Sequence, residues 1–179
     1  MADSYGLSDW LEYLSHKEID ALKYLASLLP QDPIVVNIGA GCGTSALALL
    51  ESRPDLTLYT IDIRDESSPL GCLEGELVAL ENSGINYKNR YFQVCGDSKT
   101  VEWDLPVNMV FVDGDHTYNG CVGDIKKWIQ WTKDIMVFHD YRKPDDKKPH
   151  RGVDEAVDEL MLPKYLMAIH VDTMIGFYV

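Results

Sequence analysis

The segment Ile34-Val35-Val36-Asn37-Ile38-Gly39-Ala40-Gly41-Cys42-Gly43-Thr44-Ser45-Ala46-Leu47-Ala48-Leu49-Leu50 constrains this chain more than any other. Ile34–Ile38 is β-branched and mostly apolar behind Pro33, the pattern of a buried parallel strand. Three glycines then alternate with small residues before a helix-forming run. A residue without Cβ lets the turn take unusual dihedrals and lets a ligand lie directly on the backbone. The helix that follows turns its positive dipole end and unpaired N–H groups toward that ligand. Strand, glycine turn and helix together predict a site for a nucleotide-like molecule.

Spacing narrows the ligand. A dinucleotide fingerprint needs G-x-G-x-x-G, but Thr44 stands where its third glycine would be, leaving Gly39-x-Gly41-x-Gly43. This G-x-G-x-G resembles the first motif of class I S-adenosylmethionine-dependent methyltransferases. A glycine turn also closes ordinary strand–helix joins, so the rest of the chain must carry the assignment.

Composition excludes several classes. The 179 residues, 46% apolar and 25% charged, are expected to form a single domain spanning 1–179, with 1–30 as a helical cover. No apolar run reaches the length of a membrane span, and Met1 opens onto Asp3 and Ser4 rather than a signal peptide, so no membrane partner is expected. A formal net charge of -13 repels a phosphate backbone and argues against nucleic acid. Cys42, Cys72, Cys95 and Cys121 are scattered over expected core elements without a C-x-x-C pair, which predicts reduced thiols and a cytoplasmic protein.

Ser8–Leu29 reads as helix in two pieces. Ser15-x-x-Glu18 is a capping box at the start of the second, and Ile19, Leu22, Leu25, Ala26 and Leu29 share one face. We read it as a packing cover. Leu56–Asp62 is the second strand, and Asp62 follows Gly43 by nineteen positions. An acid there can accept hydrogen bonds from both hydroxyls of a ribose resting on the glycine turn; Asp65 and Glu66 are the alternatives. Ser67-Ser68-Pro69 caps a helix from Leu70 to Ser83, ended at Gly84. Tyr91–Cys95 is the third strand, with Gly96-Asp97-Ser98 as its exit turn. That turn is either an adenine contact, as the resemblance implies, or plain N-cap chemistry.

Val107–Val112 is the fourth strand and runs into Asp113-Gly114-Asp115-His116-Thr117-Tyr118. A helix then extends to Trp131, and Ile135–Phe138 is the fifth strand, ending in His139-Asp140-Tyr141. Two apolar strands joined by one helix form a right-handed βαβ unit, so their C-terminal ends point the same way. Asp113, His139 and Asp140 are thereby expected to converge at the edge where open α/β sheets bind ligands. Arg142–Arg151, a basic stretch, is either a grip for an acidic substrate or a solvated loop. A helix from Gly152 through Leu160 precedes strands Tyr165–His170 and Thr173–Val179, joined by a Val171-Asp172 turn.

Phe-Val-Asp-Gly-Asp-His-Thr-Tyr, a helix, then Phe-His-Asp-Tyr resembles a group of class I methyltransferases that includes small-molecule O-methyltransferases and cephalosporin hydroxylase-like proteins. The resemblance implies a Rossmann-like, doubly wound seven-stranded α/β sheet with an antiparallel terminal strand. It implies S-adenosyl-L-methionine held by Gly39, Ala40, Gly41, Gly43, Thr44, Ser45, Asp62, Ile63, Asp97, Ser98 and Asp113. It also implies a divalent cation, Mg or Mn, on Asp113, His139 and Asp140. His139 departs from the pattern, as does Asn37, where relatives carry an acid. A cation would lower the pKa of an acceptor hydroxyl and fix it beside the methyl group; without one, His116 or His139 is the candidate general base. The alternative for Asp113 and His139 is a hydrogen-bonded pair tying two strand ends together. The expected partner is a small-molecule substrate, and a homodimer is compatible with the family. Two rival functions stand: a cofactor-binding module without transfer activity, and an NAD-dependent oxidoreductase disfavoured by the glycine spacing and the terminal hairpin.

Overall fold

Helix α1, His16–Ser27, starts where the sequence places a reciprocal cap: Ser15 Oγ accepts from Glu18 N at 3.2 Å and Ser15 N donates to Glu18 Oε2 at 2.8 Å. The computed structural model describes residues 14–63, 73–142 and 151–179. Within them α1 is followed by β1 Ile34–Ile38, α2 Thr44–Ser52, β2 Thr57–Asp62, α3 Leu73–Ser83, β3 Tyr91–Cys95, β4 Val107–Val112, α4 Tyr118–Trp128, β5 Thr132–Phe138, α5 Arg151–Leu160, β6 Leu166–Val171 and β7 Met174–Tyr178. The expected first helical piece before Leu14, the Ser67-Ser68-Pro69 cap, Asp65, Glu66, Cys72 and residues 143–150 of the basic stretch lie outside the described residues.

The strands form one sheet in the order β3-β2-β1-β4-β5-β7-β6. Strands β1 to β5 pair in parallel, whereas β7 is antiparallel to both β5 and β6. The expected seven-stranded sheet with an antiparallel terminal strand is therefore present. Alternation along the central strands divides the core in two. Val35, Leu58, Met109, Phe111 and Val137 pack on Leu22, Leu25, Leu49 and Leu50 of α1 and α2. Val36, Ile38, Val110, Met136 and Phe138 pack on Ile125, Trp128, Val153 and Val157 of α4 and α5. Each large side chain so buried contributes about 1.5–3 kcal/mol, enough in sum to fix the register of the central strands.

The structure corrects several boundaries. Helix α4 stops at Trp128 rather than Trp131, because Thr132 already pairs with Val107 and β5 begins three residues before Ile135. The final turn is Asp172-Thr173, with Asp172 in the left-handed region at φ 48° and Val171 paired to Met174. Cys95 does not sit in the core: it is exposed, and β3 is an outer strand with no fully buried residue. Cys42 is half-buried and Cys121 buried. No described helix is long and apolar enough to cross a membrane.

Candidate active site

The parallel ladders continue past the strand ends and bring them level. Asp113 N donates to Ile38 O at 2.9 Å, Gly39 N to Ile61 O at 2.9 Å, Gly96 N to Asp62 O at 2.8 Å, and His139 N to Val112 O at 3.1 Å. All predicted site residues thus lie on one edge. Gly39, at φ 97°, is required by this alignment: a Cβ there would stand 2.1 Å from the Asp113 carbonyl oxygen.

A cavity of about 650 Å³ opens at the ends of β1, β2, β3 and β4. Gly39, Gly41, Asp62, Ile63, Asp97, Ser98 and Asp113, all predicted, line it, together with Lys99, Asp115 and His116. A second cavity of about 190 Å³ lies over the start of α2, lined by Ala40, Cys42, Thr44 and Ser45, with Leu14 from the approach to α1. Gly39, Gly41, Asp113 and His116 border both. The α2 start carries no side-chain cap, so its dipole end is turned to this small cavity. Gly43 lines neither cavity; a Cβ there would be 3.1 Å from Glu76 Cα, and its φ of 86° starts α2 against α3. Close helix packing explains this glycine.

Asp62 is anchored before any ligand arrives, its Oδ2 accepting from Ala40 N at 2.6 Å. Burial raises its pKa, against the backbone N–H groups of Ala40 and Ile63. Asp97 adopts the local-cap geometry, accepting from Lys99 N at 2.9 Å and pairing with Lys99 Nζ at 3.1 Å, and its carboxyl is held below the usual range chiefly by that N–H. Ser98 is clamped by α4: its hydroxyl donates to Asp124 Oδ1 at 2.5 Å, and its carbonyl accepts from Trp128 Nε1 at 3.1 Å.

Asp113, His139 and Asp140 meet as predicted, with one ligand atom from each lying within 4.8 Å of the others. Asp113 Oδ1 is 3.1 Å from His139 Nδ1, and Asp140 Oδ1 is 3.5 Å from the same nitrogen. His116 bridges the two acids, Nε2 at 3.3 Å from Asp113 and Nδ1 at 3.2 Å from Asp140. Asp140 is 2% exposed and holds φ at 59°, a left-handed conformation that aspartate tolerates and that concentrates at functional sites. Burial pushes the Asp113 carboxyl up, but the contacts to His116 and His139 outweigh it and hold the group low. The Asp113 contact raises His116 against burial. Burial lowers His139, yet Asp113 and Glu18 bring it up to about 10. Two carboxylates and an imidazole, with water to complete the shell, fit a divalent cation in chemistry and spacing.

Sequence reasoning missed Glu18. It appeared as a helix cap, but the structure buries it beside His139, with its Oε2 3.6 Å from Nε2. Its partners His139 and Thr173 lie far along the chain, and no local pattern announces them. Lys99 and Leu14 were likewise not singled out, since neither belongs to a motif.

A family model described as a methyltransferase domain matches residues 36–141, which includes the glycine turn, both cavities' main walls and the Asp113–Asp140 cluster. No curated protein sequence matches significantly. Among solved structures, a Staphylococcus aureus protein provisionally assigned as a caffeoyl-CoA O-methyltransferase is 14% identical, with a TM-score of 0.72 over 96% of this chain and 89% of that one. A cofactor-bound protein from MTB is 20% identical, with a TM-score of 0.70 over 96% and 85% of the two chains. A Podospora anserina methyltransferase solved with SAH is 17% identical, with a TM-score of 0.68 over 91% and 78%. At these identities the likeness is one of fold, and the fold is that of class I methyltransferases.

Proposed function

Because this chain belongs to the methyltransferase domain family, we propose that it transfers a methyl group from S-adenosylmethionine to a hydroxyl of a small molecule, with a divalent cation held by Asp113, His139 and Asp140. The observation that carries the reading is the position of Asp113. It lines both cavities and belongs to the three-residue cluster, so a cofactor in the large cavity and an acceptor at the cluster would meet at one residue.

The cofactor would supply an electrophilic methyl group, and the cation would make an acceptor hydroxyl acidic enough to attack it. The protein's own residues do the rest. The glycine turn lets the ligand approach the backbone of Gly39 and Gly41. Asp62 is offered to the ribose hydroxyls, its orientation set by Ala40 N. Ala40, Thr44 and Ser45 border the small cavity, where the α2 start suits the carboxylate of the methionyl part. Asp97 and Ser98 form the far wall for the adenine.

Charge favours this cofactor over a dinucleotide. Asp62, Asp97, Asp113 and Asp115 line the large cavity against Lys99 and His116, an acidic wall that attracts a sulfonium cation and repels a pyrophosphate. The general-base reading of His116 or His139 is the weaker one. Both imidazoles are raised by the carboxylates they face, His139 to about 10, so His139 holds its proton at neutral pH and the shift favours the protonated form of His116 as well.

Calorimetry with S-adenosylhomocysteine and NAD tests the cofactor. Tighter NAD binding would overturn the reading, and binding of S-adenosylhomocysteine without turnover of any hydroxyl substrate would leave a binding module. Turnover scored as S-adenosylhomocysteine release over a panel of hydroxyl compounds, with manganese and then with chelator, tests the cation. Equal rates in both would remove it from the reaction.

A further inference from the structure

We propose that Glu18 is a positioning residue for His139, so that helix α1 is part of the cation site as well as a cover over the sheet. The proposal rests on the reading of Asp113, His139 and Asp140 as cation ligands.

The carboxylate of Glu18 is only 3% exposed. A capping box needs one of its oxygens and works equally well at the surface. Here both oxygens are used. Oε2 accepts from Ser15 N at 2.8 Å, and Oε1 accepts from Thr173 N at 2.9 Å and from Thr173 Oγ1 at 2.7 Å. The β6–β7 turn that carries Thr173 is itself tied to the end of β5, Tyr141 N donating to Thr173 O at 2.9 Å. The carboxylate is therefore fixed from α1 on one side and from the hairpin on the other.

What it faces is His139. Glu18 Oε2 lies 3.6 Å and Thr173 Oγ1 3.4 Å from Nε2. The opposite nitrogen, Nδ1, faces Asp113 and Asp140 at 3.1 and 3.5 Å. A histidine that binds a cation through one nitrogen donates its other N–H to a carboxylate or carbonyl, which fixes the tautomer and the ring plane. Thr173 Oγ1, within hydrogen-bond distance of Nε2, and the Glu18 carboxylate that it donates to stand where that partner belongs. Burying an acid is unfavourable unless it is paired and hydrogen-bonded, and pairing to His139 is the contact that capping alone does not call for.

The test is manganese binding to the full chain by calorimetry, compared between wild type, Glu18→Gln and Thr173→Val. Glutamine keeps the cap, since it serves equally at that position, but removes the charge opposite Nε2. We expect Glu18→Gln to weaken manganese binding ten- to a hundredfold, with S-adenosylhomocysteine affinity within twofold of wild type. Thr173→Val, which deletes one donor to Glu18, should give a smaller loss in the same direction and serves if Glu18→Gln fails to fold. Unchanged manganese affinity in both variants overturns the proposal and leaves the cation site standing. A wild-type protein that binds no manganese overturns both together.

Discussion

The Oδ1 of Asp113 lies 3.1 Å from Nδ1 of His139 and joins the C-terminal ends of the paired parallel strands β4 and β5. This one contact satisfies two demands. It pairs the Asp113 carboxylate with the imidazole, and it holds two donor atoms at a separation that a cation can bridge. The proton on the imidazole and a divalent ion are alternatives for the same position, so cation binding should release protons.

Asp140→Asn separates the two roles. Asp140 lines neither cavity, whereas its carboxylate faces His116 and His139. Manganese binding and transfer should fall by at least tenfold, while S-adenosylhomocysteine affinity stays within twofold. Manganese affinity of the wild type should also drop as pH falls, because imidazolium and carboxylic acid do not coordinate. Calorimetry of the two ligands checks this. A lower melting temperature with manganese affinity unaltered would mark Asp140 as purely structural.

Asp62→Ala removes the ribose acceptor proposed above and the anchor of Ala40 N. A hydrogen bond to a charged group is worth roughly 1.5–3 kcal/mol. S-adenosylhomocysteine affinity should therefore fall by at least about tenfold, with far-UV circular dichroism unchanged. An unaltered dissociation constant would move the ribose contact elsewhere, to Asp65 or Glu66.

Gly39→Ala should be far more damaging than Gly41→Ala. The added Cβ at Gly39 would lie 2.1 Å from the Asp113 carbonyl, while at Gly41 nothing lies within 4 Å. Both positions have positive φ, so Gly41→Ala bears only the left-handed cost of about 1–2 kcal/mol. Urea unfolding should show Gly39→Ala losing clearly more, together with S-adenosylhomocysteine binding. Equal losses would mean that the strand ends shift apart to admit the methyl group.

Glu76 makes stability depend on pH. Burial pushes its carboxyl up to about 7, against the hydrogen bonds from Tyr91 Oη at 2.5 Å and Thr60 Oγ1 at 3.0 Å. The folded value lies above the ordinary 4.5. Its contribution is thus full below pH 4.5 and is lost as pH rises through about 7. Glu76→Gln, which does not ionise, should be less sensitive to the change from pH 5 to pH 8 by on the order of 3 kcal/mol. Urea unfolding of both proteins at the two pH values measures it, and identical differences would show that Glu76 ionises alike in the folded and unfolded states.

Much of this was legible in the sequence because the signals are local. Ser15 and Glu18 fix the start of α1, the apolar runs of β1, β4 and β5 mark them as buried parallel strands, and the glycine turn needs only a residue type and a spacing. The convergence of Asp113, His139 and Asp140 also followed from the chain order, since a right-handed parallel crossover aligns strand ends. Helix and strand ends were less accurate. The end of α4 depends on Thr132 finding Val107 across the sheet, which no local pattern encodes.

The sequence by itself determined the strands, their parallel crossover and which edge would carry the chemistry, because periodicity and handedness act over neighbouring residues; the antiparallel last strand of a seven-stranded sheet was implied by the resemblance of its motifs. Tertiary structure alone decided that Gly43 packs on Glu76 instead of lining a cavity, that α4 clamps Ser98 through Asp124 and Trp128, and that Glu18 looks into the site. Each of these is a contact between residues far apart in the chain. Its energy depends on the dielectric and the partners that burial supplies, and those exist only once the layers have closed.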